Sequence, residues 1–379
     1  LHSFDAPTKA IYTQEAIPYH CDVKTYAPRS AFLPTTQEDL HNRSWDQIDI
    51  AFISADAYVD HPSFGTALLA RLLEREGYRV GIIAQPSWNS TKDFLKMGKP
   101  RLCCMISGGN IDSMVSHYTA NQKIRSEDEY SPGGKAGLRP DRPTLVYTAL
   151  AKQAYGSDIP IIIGGLEASL RRLSHYDYWS DKVRKPIILD AKADLLVYGM
   201  GERQTVEIVK RLDAGQTIKE LTDIPGTVHV LNKKSYEQLP DTLQIPSFEE
   251  VSARDAKSNT PTEEGKRAYA LAFQLQLAQE NPIRGKRIVQ ACMDRMVVQN
   301  RPALPLDEAQ FDALFALPFT LDAHPDYEKE GGVPALTEVQ FSLTSNRGCF
   351  GSCSFCAITS HQGRMIQTRS KDSLLKEAK

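Results

Sequence analysis

IDIAFIS (48–54) is the first of three successive segments that decide the fold class, and it is followed by PSFGTALLARLLEREG (62–77) and YRVGIIAQP (78–86). The first and third are short apolar runs typical of buried strands. The second has Leu and Ala at helical spacing and ends at a glycine, a good helix stop. A strand, a helix and a strand in this order predict a βαβ unit with parallel strands and a right-handed crossover.

The same alternation continues toward the C-terminus. LCCMISGGN (102–110), IPIIIGG (159–165) and ADLLVYGMGE (193–202) are strand-length apolar runs, and RQTVEIVKRLDAG (203–215) has the pattern of a helix. Because parallel strands need crossover helices between them, this order predicts a doubly wound, Rossmann-like parallel sheet over residues 46–231.

The remaining segments complete the predicted domain organisation. We expect an irregular N-terminal extension (1–45), a linker with helical segments (232–336), and a second domain that starts at 337 with the strand TEVQFSLTS (337–345). Within the sheet domain, residues 121–142 form a long polar insertion, and loops of that length are often functional. A final helix begins near Ser370, which has the residue type of an N-cap.

Composition excludes several classes of protein. The 379 residues are 41% apolar and carry a net charge of −2, so nothing indicates a nucleic-acid-binding field or a disordered chain. The apolar runs are far shorter than the roughly 20 residues of a membrane span. Seven cysteines are too few for a disulfide scaffold, which favours a cytoplasmic protein. Cys103 and Cys104 lie in an apolar run and are interpreted as buried small hydrophobes.

Three of the seven cysteines are concentrated in RGCFGSCSFC (347–356), where Cys349, Cys353 and Cys356 form C-x3-C-x2-C. Three thiolates on one short loop can hold a soft metal centre. A structural zinc needs four ligands, and His361 could complete a Cys3His set. Alternatively, three thiolates hold three irons of a [4Fe–4S] cluster and leave the fourth iron open.

The residues around the cysteines favour the cluster over zinc. Gly348 and Gly351 let the backbone fold tightly and bring N–H groups toward the sulfurs. Phe350 and Phe355 are expected to shield a cluster from water. Arg347, the first residue of this stretch, is interpreted as a solvated surface residue.

The cysteine motif, with an aromatic residue before its last cysteine, resembles that of the radical S-adenosylmethionine (SAM) superfamily. DAYVDHPSFG (56–65), RVGIIAQP (79–86), GGLEASLRR (164–172), HYDYWSD (175–181) and NRGCFGSCSFC (346–356) are similar to the YgiQ-type radical SAM proteins, a family without an assigned reaction. The resemblance extends from about Asp46 to the end of the chain.

This resemblance implies the cofactors and their ligands. Cys349, Cys353 and Cys356 would ligate a [4Fe–4S] cluster whose fourth iron binds SAM, and the backbone of Phe355 would contact the adenine of SAM. The reduced cluster would cleave SAM to methionine and a 5′-deoxyadenosyl radical, which abstracts hydrogen from a substrate. Reduction implies an electron donor of the flavodoxin or ferredoxin type. The resemblance assigns neither the substrate nor further catalytic residues.

It also implies an architecture. The sheet domain resembles the cobalamin-binding module that precedes many radical SAM barrels, and GGLEA (164–168) and GMGE (199–202) lie where that module meets its ligand. The cobalamin signature D-x-H-x-x-G is not matched at His61, which makes cobalamin a disfavoured cofactor. Residues 337–379 would be the first β/α unit of a TIM-like barrel. We therefore expect an N-terminal fragment that is inactive by itself.

Three further readings complete the sequence-based hypotheses. The first alternative is a non-catalytic iron–sulfur or zinc protein that serves structure or redox sensing, and the second is a cobalamin- or nucleotide-binding module. The aromatic stretch HYDYWSD (175–181) could line a substrate pocket, but packing of its aromatic rings on the sheet edge is the favoured interpretation.

Overall fold

The computed structural model describes residues 27–237, 240–351 and 353–379. The predicted N-terminal extension lies largely outside these residues, as does Cys21. Within the described part, no helix has both the length and the apolar character needed to cross a membrane.

Helices and strands alternate through the first two thirds of the described chain. The strands are β1 Ile50–Ser54, β2 Val59–Asp60, β3 Val80–Ala84, β4 Cys103–Ser107, β5 Ile161–Gly164, β6 His175–Asp177, β7 Lys182–Arg184, β8 Leu195–Val197, β9 Thr227–Asn232, β10 Thr242–Ile245, β11 Arg287–Cys292, β12 Arg295–Gln299, β13 Asp322–Ala323, β14 Asn346–Arg347 and β15 Gln367–Thr368. The α-helices are α1 Gln37–Asn42, α2 Gly65–Arg75, α3 Ser113–His117, α4 Pro143–Tyr155, α5 Gly165–Leu170, α6 Ile187–Ala191, α7 Glu202–Asp213, α8 Phe248–Val251, α9 Glu263–Ala278, α10 Glu308–Phe315, α11 Pro334–Val339, α12 Ile358–Gln362 and α13 Lys371–Glu377.

One large sheet organises the described residues, with the strand order β10-β11-β12-β9-β8-β5-β4-β1-β3. Strands β1, β3, β4, β5 and β8 are mutually parallel, and the first βαβ unit pairs Ile50 with Val80 and Ile53 with Ile83. The predicted parallel α/β sheet is therefore confirmed. Chain order and strand order part at β1, because β3 lies on one side of it and β4 on the other.

The apolar runs are continuous because both faces of the parallel strands are covered. Successive residues of β4 alternate between two hydrophobic clusters: Cys103 packs in one with Phe52, and Cys104 packs in the other with Ile53. Both thiols are fully buried, which confirms their interpretation as small hydrophobes.

The prediction that residues 232–336 are a linker with helical segments missed four strands, of which β13 pairs with β2 in a separate two-stranded sheet. β10, β11 and β12 extend the main sheet, and β12 pairs with β9 in antiparallel register. β11 and β12 form a hairpin whose turn places Met293 at φ 54°. The polar, proline-containing residues before the hairpin dominated the composition of this region, although β11 and β12, with six and five residues, are at least as long as β1.

The predicted strand at 337–345 is also corrected. Pro334 begins helix α11, whose Ala335 and Leu336 are buried in the cluster that contains Phe52. Val339, Phe341 and Leu343 gave the alternating pattern of a strand, but a strand needs a hydrogen-bonded neighbour. Among the described residues, no strand pairs with 340–345, and Phe341 is exposed. Strand structure resumes only at β14, which pairs with β15 across the cysteine loop (residues 348–366).

Candidate functional site

A crevice of about 830 Å³ lies outside the carboxyl ends of the parallel strands. Its floor is formed by the ends of β1, β4, β5 and β8, and its opposite wall by α11 and by residues of the cysteine loop and its base. In doubly wound sheets, ligands bind at such an edge, where the strand order reverses. The site that the sheet offers and the loop that carries the cysteines are therefore adjacent.

Glycine-containing turns shape the floor of this crevice. Gly165 has φ +82°, and a Cβ there would lie 2.7 Å from Oγ of Ser107. Gly199 has φ +75°, and a Cβ there would lie 3.3 Å from the carbonyl oxygen of His361 in α12. These glycines allow neighbouring turns, and the cysteine loop above them, to approach closely. The predicted strand-end position of GGLEA and GMGE is thus observed.

The base of the cysteine loop is held by a buried ion pair. Arg347 is only 7% exposed, and its Nη1 donates to Oε1 of Glu202, the first residue of α7. Its guanidinium lies 5.1 Å from the ring centre of Phe311 and 5.5 Å from that of Phe315. The interpretation of Arg347 as a solvated surface residue is wrong, because its partners come from α7 and α10.

Further contacts fix the second strand of the loop base. The Leu306 N–H donates to Oε1 of Gln367 over 3.2 Å, and the Ser370 N–H donates to Oδ1 of Asp312 over 3.0 Å. Ser370 also caps α13 by accepting from the Ser373 N–H, as its residue type predicts. Both ends of the loop are therefore attached to α10 or to the segment before it.

The three cysteines lie above this base. Cys349 and Cys356 are partly buried and Cys353 is exposed, and none of them is in a disulfide. The Gly351 N–H donates to Sγ of Cys349 over 3.4 Å. A Cβ on Gly351 would lie 3.2 Å from Sγ of Cys349 and 3.9 Å from Sγ of Cys353, so a side chain here would fill the space between the two sulfurs.

The donor set and the glycine between the sulfurs fit a soft, thiolate-bound metal centre. In the described part of the chain, however, no three Cys, His, Asp or Glu side chains are grouped to hold a metal ion. Two sulfurs approach one point, and the third, that of Cys356, is not within 4 Å of it. For the three thiols to hold one metal centre, the third sulfur would have to move toward the other two.

The aromatic residues of the loop point away from the protein. Phe350 is 83% exposed and Phe355 is 91% exposed, so neither shields the cysteines as expected from the sequence. A contact of the Phe355 backbone with SAM stays a prediction, since the exposed ring does not bear on it.

His361 does not join the cysteines. Its Nδ1 lies 3.0 Å from Oγ of Ser169 in α5, and burial lowers the pKa of the imidazole to about 4. The ring is thus engaged with the sheet domain, and the Cys3His zinc set has no support among the described side chains.

His61, the residue nearest to a cobalamin signature, is also occupied. It is buried, and its Nδ1 accepts from the Ser63 N–H over 3.1 Å. Burial lowers its pKa to about 4, although contacts with the carbonyl groups of Val339 and Gln340 oppose that shift. The imidazole holds the segment after α11 and does not line the crevice.

The polar insertion is anchored by a second buried arginine. Arg139 is fully buried, and its Nη1 donates to Oδ1 of Asp56 over 2.8 Å. Its Nε and Nη2 donate to the two carboxylate oxygens of Asp128 over 2.7 and 2.9 Å. Because Asp56 follows β1, this triad fastens the insertion to the carboxyl edge of the sheet.

Glu167 in GGLEA is buried beneath the crevice floor. Its Oε2 accepts from the Ser113 hydroxyl over 2.8 Å, and Arg171 lies 3.6 Å from its other oxygen. Burial raises the pKa of this carboxyl, an effect that the charge of Arg171 opposes. Glu167 thus joins α5 to α3, whereas Glu202 of GMGE lines the crevice.

The HYDYWSD stretch forms the hairpin β6–β7 and does not line the crevice. The Tyr178 hydroxyl donates to the carbonyl of Ala120, and the Trp179 ring lies 5.3 Å from that of Tyr118. Tyr178 and Trp179 thus contact the segment around 118–120, whereas the Tyr176 hydroxyl donates to Asp181.

Sequence reasoning missed the two arginine clusters. The signal for the first was the acidic Asp56 directly after a buried strand, with Arg139 in an otherwise polar insertion. The signal for the second was the charged Glu202 at the start of α7, next to a glycine turn. Neither pattern identifies which residue will form the ion pair, because the two partners are distant in sequence.

Comparison with known proteins gives the family of the chain. The family model described as "Radical SAM N-terminal" matches residues 32–342. A UPF0313 protein of Clostridium botulinum (strain ATCC 19397 / Type A) is 52% identical over 347 residues, covering 92% of this chain and 52% of the relative. A UPF0313 protein of Methanosarcina acetivorans is 49% identical over 375 residues, covering 93% of this chain and 49% of the relative.

Among solved structures, the radical SAM methyltransferase TsrM of Kitasatospora setae, with tryptophan substrate and a SAM analogue bound, matches with a TM-score of 0.43 and 14% identity. The match covers 86% of this chain and 44% of TsrM. The chain spans about half the length of the curated relatives it matches. From the family match and these relatives, the chain belongs to the YgiQ-type, UPF0313 family of radical SAM proteins.

Proposed function

We propose that this chain supplies the cluster-binding loop and the sheet crevice of a radical SAM enzyme. Cys349, Cys353 and Cys356 would hold a [4Fe–4S] cluster, and SAM would bind beside it. The observation that carries the proposal is a loop of three thiols outside disulfides, fixed at its base next to a crevice of about 830 Å³. Once reduced by a flavodoxin- or ferredoxin-type donor, the bound cluster would supply the electron that cleaves SAM to a 5′-deoxyadenosyl radical.

The residues of this chain would perform the supporting work. The Gly351 N–H already donates to Sγ of Cys349, and such hydrogen bonds to cluster sulfurs adjust their charge. The Arg347–Glu202 pair and Gln367 hold the ends of the loop. The exposed rings of Phe350 and Phe355 would be covered only when further protein or a ligand packs on the loop.

We further propose that the remaining contacts to SAM and the substrate-binding residues belong to the half of the relatives that this chain does not match. His61 contacts Ser63 and the segment after α11 and does not line the crevice, so it would not hold cobalamin there. Cobalamin therefore stays a disfavoured cofactor.

Anaerobic reconstitution with iron and sulfide tests the proposal. We expect about four irons per chain in the wild type and little iron in the triple variant Cys349→Ala, Cys353→Ala, Cys356→Ala. Cys292→Ala, which removes a buried thiol elsewhere, is the matched control. A full-length relative should show a [4Fe–4S] electron paramagnetic resonance signal that changes when SAM is added. Stoichiometric zinc, or a signal indifferent to SAM, would contradict the proposal.

A further inference from the structure

We infer that Glu202 is a positioning residue for the cysteine loop, acting through Arg347. The inference rests on the proposed cluster site and adds to it a residue outside the cysteine motif. Glu202 belongs to α7 of the sheet domain, and Arg347 stands two residues before Cys349. The pair is the direct ionic link between the crevice floor and the start of the loop.

The geometry around Arg347 leaves the side chain little freedom. Its guanidinium faces the rings of Phe311 and Phe315, while its Nη1 donates to Glu202. An arginine beside an aromatic ring and bonded to a carboxylate has both its plane and its direction fixed. Because the side chain is buried, the backbone at 347 is fixed as well.

Gly348, the next residue, sets the direction in which the loop leaves Arg347. Gly348 has φ +87°, and a Cβ there would collide with the carbonyl oxygen of Met365 on the returning side of the loop. Its N–H donates to Oε1 of Gln362 over 3.0 Å, and the Cys349 N–H donates to the carbonyl of Gly363 over 3.1 Å. The chain therefore leaves Arg347 in one direction, and Cys349 is the first thiol it presents.

Both members of the pair also line the crevice. A ligand that fills the crevice would contact the same two side chains that orient the loop. Glu207, on the same helix but exposed and paired with Arg211 at the surface, has neither property. It provides the matched control for a change of charge on α7.

The test uses the chain itself, free of metal and under reducing, anaerobic conditions. The alkylation rate of each cysteine by iodoacetamide is measured by mass spectrometry in the wild type, E202Q, R347K and E207Q. Release of the loop should raise the rates of Cys349 and Cys356 relative to Cys353 by about fivefold or more, corresponding to roughly 1 kcal/mol of lost restraint. The buried Cys103, Cys104 and Cys292 should keep their rates.

The alkylation rates of these buried cysteines distinguish a positioning role of Glu202 from a general effect on stability. If E202Q accelerates all the cysteines in parallel, the pair is only a stabilising contact and the inference fails. If the loop cysteines react as in the wild type, the inference fails too. R347K keeps the charge but loses the planar stacking group, so it should give a smaller release of the loop in a chain that still folds. E207Q should match the wild type.

Reconstitution gives the second measurement. E202Q should bind less than half of the wild-type iron, whereas E207Q should bind as much iron as the wild type. Equal iron in E202Q and the wild type would overturn the inference while leaving the proposed function intact. A wild type that assembles no cluster would instead reject the proposed function, and the alkylation result would still decide whether Glu202 orients the loop.

Discussion

Two loops lie at the carboxyl edge of the same sheet, and each depends on one buried arginine, yet they are held in different ways. The polar insertion (121–142) is fixed in its interior, because Arg139 lies between Asp56 and Asp128. The cysteine loop is fixed at its ends by Arg347 and Gln367, and its second half is held by His361 against Ser169. Its middle carries an exposed Cys353 and an exposed Phe355.

The difference separates a loop that belongs to the folded core from a loop whose cysteine-bearing part is exposed. Arg139 is paired with both Asp56 and Asp128. If the insertion separated from the sheet, these three buried charges would lose their pairing. The exposed middle of the cysteine loop carries no comparable ion pair among the described residues, and under the proposed function three thiolates would have to gather there around a metal centre. Breaking each anchor should therefore have distinct consequences.

The largest effect is expected from Arg139→Met. The substitution leaves the carboxylates of Asp56 and Asp128 buried without their cation, which costs about 3–5 kcal/mol in the free energy of unfolding. Urea unfolding followed by circular dichroism measures the loss. Lys135→Met removes an exposed ion pair with Glu330 in the same insertion and should cost about 0.5 kcal/mol or less. Equal losses in the two variants would show that the insertion has no central anchor.

Phe311→Ala and Phe355→Ala make the same chemical change at the base and in the middle of the cysteine loop. Phe311 is fully buried beneath Arg347, so its truncation should cost about 3 kcal/mol or more in the free energy of unfolding. Phe355 is exposed, and its truncation should change that free energy by about 0.5 kcal/mol at most. A large loss from Phe355→Ala, measured in the same urea series, would place its ring in a packed environment and refute the comparison.

His61 contacts Val339 and Gln340, which precede the cysteine loop, and its protonation in acid should lower the free energy of unfolding. Burial lowers the pKa of His61 to about 4, whereas in the unfolded chain it titrates near its usual value of about 6.5. The unfolded state then binds more protons between these values, so stability is full above pH 6.5 and is lost as the pH falls toward 4.

For His61 this loss is on the order of 2 kcal/mol at pH 5. His61→Asn keeps an acceptor for the Ser63 N–H and should flatten the dependence of the urea midpoint between pH 7 and 5. His175, His229 and His361 have similarly lowered pKa values and will leave a residual slope in the variant. An unchanged slope in His61→Asn would mean that the histidine is protonated in the folded chain.

The smallest effect is expected at the far end of the cysteine loop. Ser370→Ala removes the acceptor for the Ser373 N–H at the start of α13 and should cost about 1 kcal/mol. Hydrogen exchange of the α13 amides should become faster, with little change in the amides of β4. Unaltered exchange in α13 would show that its contacts with α10 hold the helix without its cap.

Much of the sheet was predictable because its signals are local. Continuous apolar runs such as residues 48–54 and 159–165 identify strands buried on both faces, and the intervening helical periods identify the crossovers. The hairpin β11–β12 was missed because the polar residues that precede it dominate the composition of residues 232–336, although both strands are buried in the main sheet. The strand predicted at 337–345 was wrong for the opposite reason. Its residues alternate as in a strand, but no neighbouring strand among the described residues supplies hydrogen bonds.

The sequence by itself determined the parallel α/β sheet and the three thiols on one glycine-containing loop, since periodicity and spacing are properties of neighbouring residues. Only the tertiary structure decided what holds each loop. Arg139 meets Asp56 across 83 residues, and Arg347 meets Glu202 across 145. Buried charges must be paired, but the chain that brings the partner is chosen by the packing of the whole sheet and its helices.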